Sequence, residues 1–377
     1  MSDWPGRRRG GSARLPPPPG AGVPGFDGLR LTVDEAEESL AEAADRLALP
    51  KSLWTREDFN LLAISGGAAG GAFGAGALVG LTRAGARPHF AIVTGVSTGA
   101  LLAPFAFLGS DWDDELADAY IGGHANRLLG GPLGPALGSL LRAEGLERLI
   151  SPFVGERMID AVAREHAAGR RLLVATTDLD RQKTVIWDMG AIASRGGEAA
   201  VALFRDVLIA SSSLPGLFPP RRFRIEIDGE AFEELHVDGG VSTPLFLMPE
   251  AMLRWKKLGR RLHRGRVYVI VNTVLEQAPR TTQPNLPSVL MRSFDTMLRF
   301  SYRQALGLAA TFCAGHNLPL SVTSILDDPN NGSMLNFDTA SMKRVFDAAA
   351  ARAEAGTLWT TPVAEQRAGL LDGFRPW

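Results

Sequence analysis

The stretch GVSTG, residues 95–99, closes the apolar run FAIVTG and leads straight into a second apolar stretch. A strand that ends in GxSxG and turns at once into a helix lifts its serine clear of the sheet. Gly95 and Gly99 leave the room such a strained turn needs. Ser97 is therefore a candidate nucleophile for acyl transfer; the plainer alternative is a structural glycine-serine turn, since both residue types are common. If Ser97 attacks, some group must take its proton, and the chain has six histidines to consider.

Two more glycine-rich stretches bear on that chemistry. SGGAAGGAFGAG, residues 65–76, follows the apolar run FNLLAIS and opens a helix predicted from about Ala72 to Thr82. Glycines there let the backbone turn tightly and leave amide N–H groups at a helix N-terminus, where negative charge is welcome. No register supplies the glycines of a dinucleotide fingerprint, and Ala72 stands where a P-loop would put lysine. That leaves a site for an anion that develops during reaction, or close packing of helix on strand. HVDGG, residues 236–240, is a short strand ending in Asp238, Gly239 and Gly240; alone it reads as a turn signal.

The elements that must position these residues alternate along the chain. Strands are predicted at FNLLAIS, FAIVTG, RRLLVATTDLD, EELHVDGG and RVYVIVNT, with helical patterns filling most of the gaps. Alternation of this kind argues for an α/β protein with a mainly parallel sheet covered on both faces. Residues 31–50 have early acidic residues and apolar ones at helical spacing, which predicts an amphipathic helix. From Trp112 to Arg170 the helical, leucine-rich pattern reads as a cap over one end of the sheet. The resulting division is a flexible Pro/Gly/Arg-rich tail at 1–25, a helical lead-in at 26–58, a core at 59–275 and a C-terminal helical part packed on it at 276–377. No repeat period is evident.

Bulk properties narrow the function classes. With 45% hydrophobic and 21% charged residues, the 377-residue chain has an ordinary globular composition, and a net charge of −1 gives no general pull toward nucleic acid. The single cysteine, Cys313, excludes an internal disulfide and any cysteine-rich metal motif, and its apolar surroundings predict a buried small hydrophobe. Residues 59–82 and 90–110 carry no charge, yet glycine, serine, threonine and proline clusters break both, so neither is expected to cross a membrane. The arginine run near the N-terminus has no apolar segment after it, so no export signal is expected and the location is read as cytoplasmic.

Taken together, the three glycine stretches resemble the patatin-like phospholipase family, whose members carry a glycine-rich oxyanion loop, a GxSxG elbow and an Asp-Gly-Gly or Asp-Gly-Ala, in that order. ASSSLPGLFPP, residues 210–220, is similar to the family as well. The resemblance spans about residues 59–275. It implies a three-layer α/β/α core with helical additions, and a serine-aspartate dyad in which Ser97 is the nucleophile and Asp238 the base, with no histidine required. It also implies an oxyanion loop of Gly66, Gly67, Ala68 and Gly71, supported by Gly95, Gly99, Gly239 and Gly240, no metal or organic cofactor, and a lipid ester as substrate. One departure stands out: the family loop reads Gly-Gly-Gly-x-Arg/Lys-Gly, and this chain has Ala68 at the third glycine and Gly70 where the basic residue belongs.

Other outcomes stay open at this level. The same acyl-enzyme serves an acyltransferase; an α/β-hydrolase triad would run Ser97, Asp238 and His263 or His316; a non-catalytic lipid binder could keep the fold. His89, His124 and His166 read as structural or exposed, and His236 is the histidine to watch, because two residues along a strand place it on the face of Asp238. Residues 254–266 concentrate seven Lys and Arg around Trp255 and Leu262. The plainer reading is a solvated helix end; the sharper one is peripheral contact with anionic lipid at a membrane surface. The apolar stripe of residues 289–312 is read as core.

Overall fold

The computed structural model describes residues 17, 18, 20–32, 59–127, 144–247, 265–276, 278, 279, 281–327 and 335–360. Five strands form the parallel centre of its sheet: β2 (Asn60–Ile64), β3 (Ile92–Val96), β4 (Arg171–Asp178), β8 (Arg266–Val274) and β9 (Leu320–Ile325), in the spatial order β4-β3-β2-β8-β9. Four more strands extend the β4 side antiparallel: β1 (Arg30–Thr32), β5 (Lys183–Asp188), β6 (Arg221–Ile227) and β7 (Glu230–Asp238). Helices among the described residues include α1 (Gly71–Arg83), α2 (Thr98–Leu108), α3 (Asp113–Ile121), α4 (Glu156–Ala167), α5 (Met189–Ala193), α6 (Gly197–Ser211), α7 (Leu286–Gly315) and α8 (Thr339–Glu354).

The central strands are apolar throughout because both of their faces are covered. Along β2, Leu62 and Ile64 join a core with Phe73 and Leu78 of α1, Leu102 of α2 and Phe346 of α8, while Leu61 and Ala63 face a second core with Tyr302 and Phe312 of α7. Successive side chains of a strand point to opposite faces, so helices on each side give three layers. Glycine lets α1 and α8 approach closely: a side chain at Gly76 would lie 2.1 Å from the Phe346 carbonyl oxygen.

The structure departs from the sequence reading in three places. Thr32 and Leu31, expected to begin a helix, sit in β1 against β5, where Leu31 is buried beside Ile186; residues 33–58 of that expected helix lie outside the described residues. The last part of the expected tail is held down. Ala21 is buried, Gly22 bridges to Glu226, and Arg30 and Arg181 donate to the carbonyls of Ala21 and of Pro17 and Pro18. Backbone carbonyls and guanidinium groups thus supply what side chains of that composition cannot. Finally, the C-terminal part contributes β9 as well as helices; LSVTSI is short and half polar, and it pairs with β8 along one edge and with Thr360 through an isolated bridge at Val322.

Candidate active site

Ser97 and Asp238 meet because β4 is shared between two strands. One edge of β4 is taken by β5; along the other, residues 171–175 pair with β3 and residues 176–178 pair with β7. Since β3 runs parallel to β4 and β7 antiparallel, their C-terminal ends converge, with Val96 opposite Ala175 and Asp238 opposite Thr176. The residue after Val96 and the last residue of β7 are then neighbours. Ser97 Oγ donates to Asp238 Oδ2 at 2.6 Å.

The glycines of the two motifs answer to this convergence. A side chain at Gly95 would lie 2.4 Å from the Gly99 carbonyl oxygen, one at Gly99 2.3 Å from that of Ile64, and one at Gly239 2.3 Å from that of Ala175. Ser97 itself has φ 56°, ψ −127°, a left-handed backbone that a serine adopts only under constraint. The constraint comes from the serine run at the end of α6: Ser211 Oγ accepts from the Ser97 amide at 2.9 Å and donates to the Ala175 carbonyl, and the Ser213 carbonyl accepts from the Asp238 amide at 3.0 Å. One segment thereby ties down both residues.

Asp238 is buried, and burial pushes its carboxyl up to about 7; hydrogen bonds from Ser97 and from the Gly240 amide, the latter 2.7 Å from Oδ1, offset part of that rise. A carboxylate in that range is a far better proton acceptor than an ordinary aspartate. Tyr302 of α7 reaches the same floor, for a side chain at Gly66 would lie 3.1 Å from its hydroxyl and 3.1 Å from Ser97 Cβ. Burial, with Asp238 nearby, drives the phenol above its usual range, so it stays neutral.

The expected oxyanion loop lies beside Ser97. Gly66, Gly67 and Ala68 line the cleft with Ser97 and Asp238, and Ala68–Gly70 form a 3-10 turn that runs into α1. Amides heading such a turn have no partner within it and are free to face an oxyanion. Gly67 has φ 150° and Ala68 φ 51°, so the alanine at the family's third glycine accepts a left-handed backbone to keep its amide in place. A side chain at Gly71 would lie 2.2 Å from Thr98 Oγ1. The absent cation at Gly70 also has a steric side: any Cβ there would fall 2.1 Å from the Asn272 carbonyl oxygen.

From this floor an apolar cleft of about 1140 Å³, mouth included, extends past Leu101, Phe105, Ile150, Phe153, Leu214 and Met342. Among the described lining residues Asp238 is the one charged side chain.

The described histidines are not hydrogen-bonded to Ser97 or Asp238. His236 is buried with Nδ1 2.9 Å from Thr176 Oγ1 and Nε2 3.1 Å from Glu234 Oε2. His316 follows α7, its Nδ1 2.8 Å from the Phe312 carbonyl and about 21 Å along the helix direction from Tyr302. His89 lies in the loop before β3, His124 pairs with Asp118, and His166 lies on α4 near Asp188; His263, like the rest of the basic stretch through 264, is outside the described residues. Cys313 is buried and its thiol pushed up to about 12, the unreactive state its sequence context implies. Asp178, Glu234 and His236 come close enough to suggest a metal. Arg30 and Arg181 already neutralise Glu234 there, and His236 Nε2 faces Glu234, so the cluster is suited to an ion network instead.

A serine at a strand-to-helix elbow of an α/β/α sandwich, over an apolar cleft, is an arrangement suited to acyl-ester chemistry. Residues 62–249 match the patatin-like phospholipase family, so the chain carries a patatin-like phospholipase domain over those residues. Members of the family are lipid acyl hydrolases. Among solved structures, the crystal structure of VipD from Legionella pneumophila is similar at 13% identity, covering 80% of this chain and 67% of that chain with a TM-score of 0.35. No curated protein sequence matches the chain.

Two site residues escape the sequence reading, Asn272 and Tyr302. Asn272 had a readable signal, a carboxamide closing the apolar run VYVIVN, since a polar group on a central strand must find partners. Tyr302 has none, because it enters from a helix whose register on the sheet no local pattern reveals.

Proposed function

We propose that the protein is a serine acyl hydrolase of lipid esters in which Ser97 and Asp238 act as a dyad. The observation that carries this reading is the 2.6 Å hydrogen bond from Ser97 Oγ to a buried carboxylate at the floor of an apolar cleft. Ser97 Oγ attacks the ester carbonyl as its proton passes to Asp238. The oxyanion that forms is held by the amides of Gly67 and Ala68, donors of a kind typically worth about 3 kcal/mol each. Collapse expels the alcohol, which takes the proton from Asp238 and leaves an acyl-enzyme. Water then gives its proton to Asp238, attacks the acyl carbon and releases the fatty acid, restoring the Ser97 hydroxyl. Residues 59–275 carry the chemistry, and the part from 276 onward completes the cleft through Tyr302 and Met342. A fluorophosphonate probe is expected to label the wild type and not Ser97→Ala; equal labelling of both removes Ser97 from the mechanism.

Contact with a lipid surface belongs to the same proposal. Of the nine large apolar side chains exposed among the described residues, six lie on α7, and Leu286, Val289, Leu290, Met297 and Phe300 are spaced to share one face. The opposite face of α7 sends Leu298 and Tyr302 into the cleft, so a surface that received the stripe would sit beside the substrate's entrance. Among the described residues no helix is long and apolar enough to cross a membrane, and the contact proposed is a peripheral one. Met297→Glu with Phe300→Glu is expected to weaken sedimentation with phosphatidylcholine vesicles at least tenfold while sparing hydrolysis of a soluble short-chain ester; unchanged sedimentation rejects the stripe.

A further inference from the structure

The loop beside Ser97 lacks the family's cation, and its shape is instead fixed by one uncharged residue from another strand. Asn272, near the end of β8, is wholly buried. Its backbone amide donates to Ser65 Oγ at 2.9 Å and its side-chain Nδ2 donates to the Ser65 carbonyl at 2.8 Å. Its Oδ1 accepts from the Gly74 amide at 3.1 Å. Ser65 Oγ in turn donates to the Gly66 carbonyl at 2.7 Å. The residue just before the loop and the first turn of the helix just after it are thus pinned by the same carboxamide.

The loop between those two pins wraps the rest of Asn272. Side chains at Gly67 and Gly70 would meet its carbonyl oxygen at 2.0 Å and 2.1 Å, and one at Gly74 would meet its Oδ1 at 2.7 Å. Three glycines therefore share one reason, close approach to a single residue. Helix α1 has no side-chain cap at its own N-terminus; Asn272 Oδ1, from the strand next to β2, gives the amide of its fourth residue, Gly74, an acceptor outside the helix.

We infer that Asn272 is the positioning residue of the oxyanion loop: by holding Ser65 and Gly74 it sets where the Gly67 and Ala68 amides stand relative to Ser97, a placement that a charged side chain at Gly70 has no room to provide. It touches neither Ser97 nor Asp238 by hydrogen bond in this structure, so its effect runs through the loop. This inference rests on the acyl-hydrolase reading above. Its specific consequence is that losing the carboxamide should weaken stabilisation of the transition state while leaving ground-state binding in the apolar cleft alone.

The experiment compares wild type, Asn272→Ala and Ser65→Ala on a soluble p-nitrophenyl ester, with kcat and KM resolved, a pH profile, and thermal unfolding of each protein. Wild type must first turn over and take the fluorophosphonate label at Ser97; if it does neither, the acyl-hydrolase reading fails and the positioning role falls with it. Given an active wild type, Asn272→Ala is expected to lose about 100-fold in kcat, the scale of one misplaced oxyanion donor, with KM within threefold and the pH midpoint unmoved. Ser65→Ala, which removes the bonds of Ser65 Oγ to the Asn272 amide and the Gly66 carbonyl and keeps the carboxamide, is expected to lose about tenfold in the same pattern. Folded Asn272→Ala with kcat within threefold of wild type overturns the inference. So does a loss accompanied by a shifted pH midpoint, which would mean general loosening around Asp238. Should Asn272→Ala fail to fold, Ser65→Ala decides alone, and an unchanged kcat there overturns it.

Discussion

Strand β7 carries two buried carboxylates on one face, Glu234 and Asp238, and the protein treats them in opposite ways. Burial by itself would raise both. At Glu234 that rise is more than offset by hydrogen bonds from His236 and Arg30, which hold the carboxyl down to about 2; Arg181 adds a bond at 2.9 Å to Oε1. Asp238 is given a serine hydroxyl and one backbone amide and no cation, and it stays near 7. The first is kept charged whatever happens around it, and the second is kept ready to gain and lose a proton. On the dyad proposed above, withholding a counter-ion is what separates a structural carboxylate from a reactive one on the same strand.

The largest effect that could break this contrast is on turnover. Asp238→Asn keeps the size of the side chain but removes its ability to accept a proton, and a fall in kcat of at least 10⁴-fold is expected, on the scale seen when a nucleophile loses its base. Glu234→Gln, measured at a temperature where it is folded, should remain within about tenfold of wild type, because it serves the strand and not the chemistry. If Asp238 is the base of the proposed dyad it must be ionised to act, so kcat/KM of the wild type should rise with pH through about 7 and level off above. Comparable losses in the two variants, or a pH midpoint near that of a free aspartate, would erase the distinction.

That contrast also marks how far the sequence could be read. GVSTG, SGGAAGG and HVDGG are legible because each is a local answer to a local demand, a turn too tight or an approach too close for a side chain, and glycine spells that demand out. The parallel strands are legible for a similar reason, since burial on both faces makes them continuously apolar. What pairs with what is not local. Ser65 and Asn272 stand 207 residues apart and Arg30 and Glu234 stand 204 apart, and nothing in either short stretch names the other. The serine run at 211–213 shows an intermediate case: it is recognisable as part of the family pattern, but its task of holding both Ser97 and Asp238 appears only when α6 is seen ending against β4 and β7.

Stability offers the next test, and here the two carboxylates should respond with opposite signs. Glu234 is held below its usual range, so its contribution is present above the carboxyl's ordinary value of 4.5 and is lost as pH falls through about 2. Glu234→Gln leaves Arg30 and Arg181 short of their buried partner and is expected to destabilise by about 3–5 kcal/mol at neutral pH, the usual cost of breaking a buried ion pair. Denaturant midpoints within error of wild type would mean that the arginines find other acceptors and that the network is incidental.

Asp238 runs the other way, and its effect is the smaller one. Its folded carboxyl titrates about 7 against an ordinary 3.8, so stability is fully present below the lower value and declines as pH rises toward the upper one, in total by about 4 kcal/mol. The carboxamide introduced by Asp238→Asn would carry no such charge and could still accept from the Gly240 amide and donate to Ser97 Oγ. That variant should therefore gain on wild type by about 3 kcal/mol between about pH 5 and about pH 8.5, a difference read from paired denaturation curves in which every other titrating group cancels. A variant that is inactive and yet more stable only at alkaline pH would show that the charge at Asp238 is maintained against the fold. A gap that stays constant with pH would show that the carboxylate is better solvated than its burial implies, and would remove the physical basis for setting it apart from Glu234.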